Sequence, residues 1–137
     1  MATDAQMRTD LATRADAISG LSVYDKIPEG IEVPAFVVGP VESIVYNLTA
    51  GPTGALWVYL CRVYAARADS HEAQLDLGLY YAPTGTKSIK VALETEATSN
   101  TSSSHWTNVR EAREPGVYSF GGVEYYGVEF VVEMAAA

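Results

Sequence analysis

The segment spanning residues 56–65 restricts the possible folds more than any other part of the chain. Read as an extended strand, it places Leu56, Val58, Leu60, Arg62 and Tyr64 on one face and Trp57, Tyr59, Cys61, Val63 and Ala65 on the other. A strand with one face in water alternates apolar and polar residues. Here both faces are largely apolar, so the strand is expected to lie at the centre of a sheet or to be covered on one side by another subunit.

The remaining patterning surrounds this strand with helices and further strands. Thr3 and Gln6 have the spacing of a capping box, and Met7, Leu11, Ala15 and Ile18 recur at helical intervals, with Arg8, Asp10, Arg14 and Asp16 expected mostly towards water. Gly20 stands where a left-handed C-terminal cap belongs. A short extended piece at 21–24 leads into a connector at 25–34, where Pro28, Gly30 and Pro34 forbid a long helix. Two strands are expected next, at 35–38 and about 42–48, separated by Gly39-Pro40; residues 49–54 read as a loop. Asp69 and Glu72 have N-capping spacing for a helix bearing Ala73, Leu77, Tyr80 and Tyr81. Thr86 is positioned to cap a second short helix with Ile89, Ala92 and Leu93. Residues 98–104 are polar throughout and read as a loop. A weak strand at 105–113 follows, and Gly121-Gly122 joins strands at 117–120 and 123–134 as a hairpin turn. In the last strand Tyr126, Val128, Phe130, Val132 and Met134 form an apolar face, opposite one that mixes Val123, Tyr125 and Val131 with Glu129 and Glu133. The expected fold is α+β: one domain over residues 1–137, a mostly antiparallel sheet packed with an N-terminal helix and a central helix pair.

Composition narrows the partners. The 137 residues carry 9 Lys+Arg against 17 Asp+Glu, a net charge of −8, and the basic residues are scattered singly. Nucleic-acid binding depends on clustered cations that release counterions, so DNA is not expected as a bound partner. No run approaches the roughly 20 apolar residues of a membrane helix, and no secretory signal is recognisable. The single cysteine, Cys61, fits a reducing cytoplasm and is expected as a buried, inert thiol.

A search for catalytic chemistry finds no constellation. His71 lies between Asp69 and Glu72, acidic positions that a helix N-terminus explains, and His105 follows three serines at a loop-to-strand junction without an orienting acid. Cys61, His71 and His105 match no zinc spacing, and no glycine-rich phosphate loop is present. No enzyme activity, cofactor or metal is expected. What the chain does offer is nine tyrosines, a residue type enriched at protein interfaces. Together with the two-faced strand they point to self-association or docking, with Trp57, Tyr59, Tyr64, Tyr125 and Tyr126 as the expected interface residues.

Four runs resemble one known family in the same order along the chain. They are LSVYDKIP (21–28) with PAFVVGP (34–40), VYAARADSHEAQLD (63–76), YAPTGTKSIKVALE (81–94) and GVYSFGGVEYYGVEF (116–130). They are similar to tail terminator proteins of long-tailed phages of actinobacteria, and the order of elements is similar to that of the lambda-type tail terminator. The chain departs from the family at 97–105, where a serine-rich stretch replaces a short, more apolar turn. The resemblance implies a structural virion protein at the tail–neck junction, assembled in the host cytoplasm. It further implies a ring, of six subunits in the family, that caps the tail tube, ends tube polymerisation and offers a docking surface to the head-completion or neck protein. Genomic DNA would pass through such a ring without specific binding, and an acidic lumen suits that passage. The alternatives are another neck or tail-tube component, which would stack on itself, and a small α+β protein that binds an apolar ligand in an aromatic-lined pocket.

Overall fold

Asp4–Ala15 forms helix α1, one side of which is sealed against a sheet: Met7, Leu11 and Ala15 are buried, followed by Ile18 in the turn beyond. The computed structural model describes residues 4–46, 55–68, 73–94 and 106–136. The expected cap at Thr3, the loops at 49–54 and 98–104, the capping pair Asp69 and Glu72, and both histidines lie outside these residues. Gly20 closes the turn after α1 in the left-handed conformation, φ 81°, which glycine adopts without a Cβ penalty.

The sheet has five strands in the order β1-β2-β3-β5-β4, with β1 at Ser22–Tyr24, β2 at Ala35–Tyr46, β3 at Ala55–Arg67, β4 at Trp106–Phe120 and β5 at Val123–Ala136. Only β1 and β2 run parallel, joined by the proline-rich connector; every other pair is antiparallel. The fold is thus α+β, with β3 at the centre between β2 and β5. Two further helices, α2 at Ala73–Tyr81 and α3 at Ile89–Glu94, complete the helical layer. Among the described residues no helix is long and apolar enough to cross a membrane.

Local boundaries differ from the sequence expectation at three places. The expected break at Gly39-Pro40 is a register shift inside one continuous strand: β2 pairs with β3 on both sides of it, and Pro40, which has no N–H to give, sits in the irregularity between Val38 and Val41. The expected strands at 105–113 and 117–120 are likewise one strand, β4, bent at Glu114-Pro115-Gly116, where Glu114 takes φ 52°. Helix α3 is capped by Ser88 and not by Thr86: Ser88 Oγ accepts the Val91 N–H at 3.3 Å and donates to the Ala82 carbonyl at 2.6 Å.

The main core lies between the helices and one face of the sheet. Tyr59, Cys61 and Val63 of β3, Phe36 and Val38 of β2, and Val128, Phe130, Val132 and Met134 of β5 meet Met7, Leu11, Leu77, Tyr80, Ile89 and Leu93 from the helices. Burying each Leu or Met side chain of this kind contributes about 1.5–3 kcal/mol. Asp10 and Arg14 do not face water as expected. Arg14 Nε lies 3.2 Å from Asp10 Oδ2, and Arg14 Nη1 donates to the Leu93 carbonyl at 2.8 Å and to Thr107 Oγ1 at 3.0 Å. Helix α3 and strand β4 cover that side of α1, so its charges are paired in the interior.

Candidate assembly surface

The two faces of β3 meet different surroundings. Trp57, Tyr59, Cys61, Val63 and Ala65 face the helices, and from Tyr59 to Ala65 they are buried in the single chain. Tyr59 Oη donates to Asp4 Oδ1 at 2.7 Å, and burial together with this carboxylate pushes its pKa up. Burial pushes the Cys61 thiol from its ordinary 9.0 up to about 12, so it stays protonated. Such a thiol is inert at neutral pH, in line with its sequence context.

On the opposite, outer face, one half is closed by the chain itself. Tyr64 stands edge-on to Tyr118, Phe120 and Tyr125 at centroid distances of 6.4, 5.6 and 5.9 Å, and Val37, Tyr24, Ile31 and Val33 complete this second cluster. The bend at 114–116 precedes the part of β4 that carries Tyr118 and Phe120, and Tyr118 Oη donates to the Glu114 carbonyl at 2.7 Å. Beside the cluster lies an ionic network centred on Glu129, which is 5% exposed. Arg62 Nε donates to its Oε2 at 3.1 Å, Arg113 reaches its Oε1 through Nε at 2.8 Å and Nη2 at 2.7 Å, and the Arg62 guanidinium lies 4.8 Å over the Tyr118 ring. Glu129 and Val131, on the more polar face of the expected last strand, are therefore buried. A cavity of about 350 Å³ opens here, lined by Ile27, Pro40, Leu60 and Phe120 with Arg62 and Glu129.

The expected interface residues divide accordingly. Tyr59 and Tyr64 are 0% and 3% exposed and Tyr125 is 9% exposed, all in the single chain, where they build its two cores. Trp57 and Tyr126 are partly buried and pack against the main core, Trp57 stacked at 6.4 Å on Tyr59. Among the described residues the large apolar side chains left uncovered are others: Ile27 of the connector, Val45 and Tyr46 at the end of β2, Leu75, Leu79 and Tyr81 of α2, Val91 of α3 and Val117 of β4. Tyr81 and Tyr80 are expected on one apolar stripe, yet Leu77 and Tyr80 are buried while Tyr81 is exposed.

The edges of the sheet are the second open feature. Strand β1 covers only residues 35–37 of β2; among the described residues no strand pairs with 41–46 on that side. At the far edge β4 too has no outer strand partner among the described residues, and it is guarded by the Glu114 bend, by Pro115, and by Glu94 Oε2, which accepts the Val109 N–H at 2.9 Å. Among the described residues no group of three or more metal-ligating side chains comes together. Comparison with protein-family models and with curated proteins finds no match.

Proposed function

We propose that this chain is a ring-forming tail terminator, a structural virion protein that caps a phage tail tube, ends its growth and presents a surface to the neck. Four runs resembling that family, in order along the chain, support the reading. The observation that carries it furthest is the presence of two open sheet edges formed by different strands on opposite sides of one subunit. Unlike edges favour head-to-tail contacts, and head-to-tail contacts that close make rings. The excess of acidic side chains suits a channel through which DNA slides. In this reading the chain catalyses no reaction and holds no cofactor; its partners are copies of itself, the tube subunit and a head-completion protein.

The experiment is to add the purified chain to its cognate tube subunits during polymerisation and to follow tube length by electron microscopy. Tubes that stop growing with a single layer of this chain at one end support the reading. Tubes into which the chain is built repeatedly would make it a tube component, and tubes that grow unaffected, with the chain unbound, contradict both.

A further inference from the structure

We infer that the β2 edge of one copy pairs with the β4 edge of the next, and that Glu42 and Arg110 meet at this junction. The inference deepens the ring reading by naming the contact that closes it. Four rungs cross the sheet from edge to edge: Val45–Leu56–Ala135–Trp106, Ile44–Trp57–Met134–Thr107, Ser43–Val58–Glu133–Asn108 and Val41–Tyr59–Val132–Val109. The open part of β2 and the first half of β4 therefore stand at the same height on opposite sides of the subunit.

Strand direction fits the same junction. β2 is antiparallel to β3, β3 to β5 and β5 to β4, so β2 and β4 run in opposite directions. Rotation about an axis along the strands preserves direction, and each neighbouring pair of edges in a ring then meets antiparallel, the stabler pairing. Charge fits as well. Glu42 sits in the β2 irregularity between Val41 and Ser43, and Arg110 in the β4 irregularity between Val109 and Glu111, so they flank the lowest of the four rungs, Glu42 on the side of the Val58 rung and Arg110 on the side of Leu60 and Val131. Glu42 is exposed, with Arg113 of its own chain within electrostatic reach, and Arg110 is half exposed and held only by long pairs to Glu111 and Glu133 at 3.9 and 3.8 Å, which a closer partner can replace. A two-fold pairing of like edges forfeits this match, since it sets Glu42 against its own edge and Arg110 against its own. Val45 and Tyr46, 46% and 72% exposed, extend the same edge with apolar surface for a neighbour to cover. Glu94 holds one N–H of the β4 edge in the free chain, a guard that pairing displaces.

Cysteines at the two positions, Glu42→Cys with Arg110→Cys, are expected to give an oxidised ladder of linked copies, while the buried Cys61 stays out of it. Glu42→Lys and Arg110→Glu should each raise the concentration for half-assembly several-fold by sedimentation, and the combined swap should restore it. Circular dichroism checks that each variant is folded. Glu94→Ala should lower that concentration by freeing the edge. If the wild-type chain forms multimers but the cysteines do not link and the charge reversals change nothing, this junction is wrong and the ring stands on another contact. If the wild-type chain forms no multimer, alone or on tubes, the ring reading fails together with it.

Discussion

Tyr59 Oη donates to Asp4 Oδ1 across 2.7 Å, tying the middle of the central strand to the first turn of α1. Arg8 closes the arrangement: its Nε pairs with Asp4 Oδ2 at 3.0 Å and its guanidinium lies 5.6 Å from the Tyr59 ring centroid. Tyr59→Phe keeps the ring and removes the hydroxyl, so it is expected to lose about 1.5 kcal/mol, the low end for a hydrogen bond to a charged group because the Asp4 carboxylate is half exposed. Tyr59→Ala also empties the core and should lose about 3–5 kcal/mol, as for other buried aromatics. Urea unfolding of the two variants separates the terms.

Glu129 carries the outer-face network, and its loss leaves Arg62 and Arg113 without their shared acceptor. Both arginines are more than a third exposed, so water takes up part of the deficit. Glu129→Gln is expected to destabilise the chain by about 1.5–3 kcal/mol, the range for hydrogen bonds to charged groups. A stability equal to wild type in chemical denaturation would show that the network is peripheral.

Gly127 lies where two strands and the bent hairpin approach closely. A Cβ there would stand 2.7 Å from the Val63 carbonyl oxygen and 3.1 Å from the Tyr118 ring. Gly127→Ala should therefore lower stability by about 1–3 kcal/mol through overpacking, and near-ultraviolet circular dichroism should report disturbed tyrosines. Gly116→Ala, where a Cβ meets nothing within 4 Å, is the matched control.

The Cys61 thiol and the Tyr59 hydroxyl both have pKa values raised by burial, to about 12 for the thiol. The sign follows from linkage. A raised folded pKa means that the neutral form is favoured in the fold, so the stabilisation is complete below the unfolded pKa and is lost as pH rises towards the folded one. Stability is expected to be insensitive to these groups below about pH 9 and to fall steadily from there towards pH 12. Iodoacetamide at pH 8 should label Cys61 only after unfolding; rapid labelling of the native protein would contradict the burial.

The parts of this fold legible in the sequence are those governed by local period and turn chemistry. The two-faced strand at 56–65 is the sheet centre, Gly121-Gly122 is the hairpin turn with both residues at positive φ, and Met7, Leu11, Ala15 and Ile18 form the inner side of α1 and its following turn. What escaped was set by contacts distant in sequence. The Asp10–Arg14 pair looks like a solvated helix face until α3 and β4 close over it, and Glu129 looks half-exposed until Arg62 and Arg113 arrive from neighbouring strands. Proline and glycine at 39–40 and 115–116 mark irregularities that a strand passes through, and composition alone reads them as ends. The tyrosines are ambiguous for a related reason. An apolar ring with a polar tip suits a core as well as an interface, and Tyr64 found its partners in Tyr118, Phe120 and Tyr125 of its own chain.

The most direct test of assembly is the mass of the wild-type particle across a wide range of concentration, by sedimentation equilibrium with the tube subunit absent and then present. A single closed species, six chains in the family expectation, that does not grow further with concentration is the outcome foreseen here. A monomer under both conditions, or filaments that lengthen without limit, contradicts it.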